Sequence, residues 1–147
     1  MRAQAASEFL ATYGFAIFVV LAAVSVMAYV GLREPPLPNK CIFPAGLDCI
    51  DHTLKSYEVN LALKNSGLSE ITVNDISVDD CIGSKEISLV GGSYMPLPVT
   101  ISKDTVFRIR VGCSITEKRF KSPVTIKYLN QESGLQQTAV GEVVGNV

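Results

Sequence analysis

Residues 9–32 contain no charged side chain. Wound as an α-helix, that run measures about 36 Å, enough to cross the hydrocarbon core of a bilayer. A helix apolar on every side needs lipid or other helices around it, because one exposed stripe of a globular domain cannot cover it. The chain therefore divides into a greasy rod and whatever the remaining residues build. Glu8 stands at the head of the rod, with Arg2 and Ala3 just before Gln4. A simple membrane anchor has no use for an acid at that place.

The rod stops at Arg33-Glu34-Pro35-Pro36-Leu37-Pro38. Proline removes a backbone donor and disfavours helix in the residue before it, so this run predicts a stiff extended spacer. The expected organisation is a leader at 1–3, a hydrophobic helix at 4–34, a proline-rich linker and cysteine loop at 35–56, and a β-rich head at 57–147. The 147 residues give room for one apolar helix and one globular domain of ordinary size. Its formal net charge of −1 offers no surface for nucleic acid.

Cys41, Cys49, Cys81 and Cys113 all follow the apolar run. An even number on one side of a membrane segment fits two disulfides in an oxidising space. Four cysteines allow three pairings, and sequence alone does not choose among them. The expected pairs are Cys41 with Cys49, closing a short loop turned by Pro44 and Gly46, and Cys81 with Cys113. A zinc reading would add His52 to Cys49, but there is no Cys-x-x-Cys and the spacing is poor.

From Tyr57 onward the hydrophobic period changes from helical to alternating. Tyr57, Val59, Leu61 and Leu63 fall on one face, opposite Glu58, Asn60 and Lys64, and Asn65-Ser66-Gly67 supplies a turn. Ile71 and Val73 are followed by Ile76 and Val78, a phase slip at Asn74-Asp75 that predicts a bulge. Phe107, Ile109, Val111 and Cys113 form a third inward set, Val124, Ile126 and Tyr128 a fourth, and residues 137–144 a closing strand. Six or seven short strands at this spacing predict an antiparallel β-sandwich, immunoglobulin-like in general build, so the fold class is α+β.

Three accounts compete for the amino terminus. A secretory signal would be cut after small residues such as Val26-Met27-Ala28, but its apolar core is too long and Glu8 intrudes between base and core. An uncleaved single-span anchor explains the length and the proline exit, and makes a monomeric, membrane-anchored surface binding protein. It leaves Glu8 without a role. The third account starts from Arg2-Ala3, then Gln-Ala-Ala-Ser-Glu-Phe-Leu, with Ser7-Glu8-Phe9 at its centre.

That run resembles the amino terminus of archaeal type IV pilins with a class III signal peptide. The resemblance implies removal of a short leader between Ala3 and Gln4 by a prepilin peptidase, which leaves the whole helix on the product. It also implies a homopolymer: Gln4, Glu8 and Phe9 take part in assembly, and the Glu8 carboxylate meets the new α-amine of Gln4 on a neighbouring subunit. The expected function is a structural subunit of an archaeal surface filament for adhesion, put together by a pilus machinery. The precursor would sit in the cell membrane with its head outside. A carboxylate in lipid costs roughly 2.5 to 3.5 kcal/mol, so a partner for it is worth having. Alanines and Gly14 along the rod suit close helix packing, with Phe9, Tyr13, Phe15, Phe18 and Tyr29 filling the gaps between.

The head offers no catalytic set, and neither enzyme activity nor a cofactor is expected. His52 is the only histidine, between turn-prone segments. Asp79 and Asp80 are adjacent, but the oxygen-rich spacing of a calcium loop is absent. Arg108, Arg110, Lys118, Arg119 and Lys121 read as a local basic patch, either the wet side of strands or a contact for acidic glycans or a neighbouring head. No Asn-x-Ser/Thr acceptor occurs.

Overall fold

The computed structural model describes residues 2–32 and 38–147, leaving aside the side chains of residues 2–6 and 10. The chain falls into two compact units, an amino-terminal helix and a β-domain. Helix α1 spans Arg2–Gly31 and closes with Leu32 N–H donating to the Ala28 carbonyl. Nothing interrupts it at Gly14, so the single glycine makes no break. Its described side chains are all exposed within the chain.

Among the described residues the domain has ten strands: β1 (Lys40–Ile42), β2 (Leu47–Lys55), β3 (Glu58–Asn65), β4 (Ile71–Val78), β5 (Lys85–Leu89), β6 (Met95–Pro96), β7 (Val99–Ile101), β8 (Val106–Gly112), β9 (Arg119–Asn130) and β10 (Gln136–Asn146). They form two five-stranded sheets, β1-β10-β9-β4-β7 and β2-β3-β8-β5-β6, with every pairing antiparallel. The expected α+β sandwich is thus the architecture. It has more strands than the six or seven expected.

One apolar core joins the inward residues of both sheets. Val59, Leu61 and Leu63 of β3 and Phe107, Ile109 and Val111 of β8 meet Ile71, Val73, Ile76 and Val78 of β4 and Val124, Ile126 and Tyr128 of β9. This is the alternation that the sequence carries, because successive strand side chains point to opposite faces. The phase slip also lands as expected, since the β4–β9 register shifts between Val73 and Asp75. Tyr57 departs from its expected inward place. It lies in the two-residue turn between Lys55 and Glu58, where its ring is exposed.

The division at residue 57 moves earlier. β1 and β2 belong to the sheets, so 40–42 and 47–55 are head rather than linker. Residues 33–37, which hold the expected Pro35-Pro36 spacer, lie outside the described residues.

Both expected disulfides form, and each links one sheet to the other. Cys41 on β1 joins Cys49 on β2, with Cα atoms 5.9 Å apart. Cys81, bridged to Val78 at the end of β4, joins Cys113 just beyond β8 at 4.4 Å. The second bond needs a close approach nearby. A side chain on Gly83 would place its Cβ 2.5 Å from the Gly112 carbonyl oxygen, so only glycine lets these two backbones meet.

Candidate functional site

On α1, Ser7–Gly31 is long and apolar enough to cross a membrane. Two hydroxyls inside this span are satisfied on the helix itself: Thr12 Oγ1 donates to the Glu8 carbonyl at 2.9 Å and Ser25 Oγ to the Leu21 carbonyl at 2.7 Å. Such back-bonding to the residue four earlier removes the cost of a hydroxyl in lipid. The Glu8 carboxylate has no such arrangement. Among the described residues it takes part in no hydrogen bond or ion pair, and it is the one charge in the span.

Phe9 lies against Tyr13 with ring centroids 4.2 Å apart and planes tilted by 38°, so the two aromatics form a ridge along the turn that follows the acid. The Ala3–Gln4 bond lies in the first turn of the helix, where backbone N–H groups lack intrahelical acceptors and the ends fray. The side chains of Ala3 and Gln4 lie outside those described. Glu8 and Phe9 are successive residues of α1, so their side chains leave the rod about 100° apart around its axis.

No family model and no curated protein matches the chain.

In the head, the five basic residues close in sequence do not make one patch. Arg108 and Arg110 project from β8 on the outer face of one sheet, whereas Lys121 projects from β9 on the outer face of the other. Sequence proximity misled here because the chain passes from one sheet to the other between residues 112 and 119. Lys121 is paired with Glu142 at 3.8 Å. Arg110 is held between Glu58 (3.6 Å) and Glu86 (3.9 Å), and its guanidinium lies 3.8 Å from the centroid of the Tyr94 ring.

Lys55 extends that cluster by donating to Glu58 Oε1 at 2.8 Å. The same hydrogen bond lowers the Glu58 carboxyl below its ordinary value, with a second bond from Asn60 assisting, and raises the Lys55 ammonium. A separate pair, Lys85 donating to Asp75 Oδ1 at 2.8 Å, holds the Asp75 carboxyl below the usual range. Nothing in the sequence pattern marks the Arg110–Tyr94 contact, because the partners are sixteen positions apart and on different elements.

His52 points between the sheets, its Nε2 3.3 Å from the Val144 carbonyl oxygen. Asp80 sits at a positive φ of 65° in the turn ahead of Cys81, and among the described residues no group of three His, Cys, Asp or Glu side chains could hold a metal ion. Cys49 is spent on its disulfide, which removes the zinc reading that paired it with His52.

Proposed function

We propose that the chain is a structural subunit of an archaeal type IV pilus-like surface filament. Its helix is buried among the helices of identical subunits, and its β-head faces outward. The observation that carries the reading is the apolar span Ser7–Gly31, whose single charge, Glu8, has no partner among the described residues. Lipid alone satisfies the apolar surface and leaves the acid unmatched. A bundle of copies satisfies both, once cleavage after Ala3 frees an α-amine at Gln4 about one turn from Glu8.

The Ser7-Glu8-Phe9 resemblance and the disulfide-linked head agree with this assignment, since disulfides persist in oxidising surroundings. The head then lies outside the cell, and the membrane holds the precursor only.

Amino-terminal sequencing of the native polypeptide, taken from membranes and from sheared surface material, is the test. The expected start is Gln4 in both, with the sheared fraction showing filaments by electron microscopy. A start at Met1 in a monomeric membrane protein overturns the proposal.

A further inference from the structure

The outer face of the β2-β3-β8-β5-β6 sheet carries a hollow of about 370 Å³. Register explains why it is there. Asp51 of β2 pairs with Ala62 of β3, and Ala62 pairs with Arg108 of β8, so the three lie in one row across the sheet. With strands about 4.8 Å apart, the acid and the base stand roughly 10 Å from each other at the Cα, too far to meet across the short alanine between them. Ala62 is the floor. The β-bulge between Cys49 and Asp51 turns Ile50 outward at one end of the hollow.

A wall is supplied by the loop after β5, which folds over this face and is pinned twice. Ser88 Oγ donates to the Gly92 carbonyl at 2.8 Å, and the Arg110 guanidinium lies against the Tyr94 ring. Arg110 is itself fixed by Glu58 and Glu86, so the aromatic wall is built before any ligand arrives. Polar groups around the hollow are underused. Arg108 and the Tyr94 hydroxyl accept or donate no hydrogen bond among the described residues, and Asp51 uses one oxygen, on the His52 N–H at 2.8 Å.

The chemistry selects a ligand class. One cation and one anion at opposite ends cancel, which disfavours a strongly charged ligand. A planar acid and a guanidinium bind adjacent hydroxyls well, because each presents two parallel hydrogen-bonding positions. An aromatic side wall suits a molecule with an apolar C–H face. The volume falls in the range of small-molecule sites. We propose that this hollow binds a neutral saccharide of mono- or disaccharide size, with Arg108 and Asp51 on its hydroxyls and Tyr94 against its ring. The site is independent of α1, so it stands or falls separately from the filament assignment.

Nuclear magnetic resonance on the full chain, solubilised in a detergent without a sugar headgroup, tests it. The probes are glucose, galactose, N-acetylglucosamine, maltose, cellobiose and mannobiose at millimolar concentration. At least one is expected to shift amide signals confined to 50–53, 60–62, 90–94 and 106–108. Arg108→Ala should weaken that response at least about tenfold, the loss of charge-assisted hydrogen bonds. Ala62→Leu, a change at a half-buried position on the outer face that fills the floor without replacing a polar group, should abolish it while signals remote from the hollow are unchanged. No shift with any probe overturns the proposal. So does a response that survives Ala62→Leu, or the same signals moving with protein concentration alone, which would make the hollow a contact between copies.

Discussion

At the scale of single residues, Glu8 and Asp75 show how the surroundings decide what a carboxylate does. Glu8 makes no hydrogen bond or ion pair among the described residues, and under the proposed reading its partner belongs to another molecule. Glu8→Ala is expected to insert in the membrane at least as well as the native chain, because removing a charge from an apolar span lowers the insertion cost. Filament yield in sheared fractions should fall severely, and normal yield would remove the amine pairing from the account. Asp75 is matched within the chain. Lys85 keeps its folded pKa below the unfolded value, so the stabilisation is complete above the ordinary carboxylate value of about 4 and fades as pH falls through the lower folded value. With the Asp75 side chain 44% exposed, the effect is under about 1 kcal/mol. Asp75→Asn should therefore lower the melting temperature slightly at neutral pH and converge with the native protein in acid, read from thermal scans across pH.

At the scale of elements, the sandwich is two sheets tied at two places by cross-sheet disulfides. Chain-entropy reasoning gives about 2.5 kcal/mol for a loop with a separation of 8 residues and about 3.7 kcal/mol for one of 32. Replacing Cys81 and Cys113 together by alanine should thus cost more than replacing Cys41 and Cys49, as measured by urea unfolding. The Cys41–Cys49 pair has a local role besides. It fastens the three-residue edge strand β1, which among the described residues pairs with β10 alone. Short edge strands such as β1, β6 and β7, and the bulge in the edge strand β2, are the usual means of keeping sheet edges from pairing with other chains.

For the whole molecule, the division into two units has a direct consequence. The head closes its own core from residues of eight strands, with Cys41 of β1 packed against it, and no described residue of α1 is among them. A fragment of residues 38–147 is therefore expected to be soluble and monomeric, and to unfold cooperatively with its disulfides intact. The full chain is expected to need detergent or to polymerise, since α1 exposes its apolar surface along its described length. Sedimentation of the two side by side checks this, and a fragment that aggregates would mean the helix contributes to the head.

The rod, the alternating core strands and the bulge at Asn74 are legible along the chain because each rests on local period, whereas the choice among the three cysteine pairings rests on which strand ends the fold brings together. β2 escaped notice for a local reason as well. Its bulge puts Leu47 and Cys49 out of phase with His52 and Leu54, and a broken period of two does not look like a strand. β1, β6 and β7 are too short to have any period. Asn65 was legible as a turn residue but not as a buried hub: its side-chain amide donates to the carbonyls of Ser69 and Ser102, and its oxygen accepts from the Leu68 N–H. Which residues share a face across strands was settled by folding. The basic run of residues 108–121 was divided between opposite faces, and Asp51, Ala62 and Arg108 were brought into one row. Hydrogen-bond register between distant segments sets such neighbours, and no spacing along the chain encodes it.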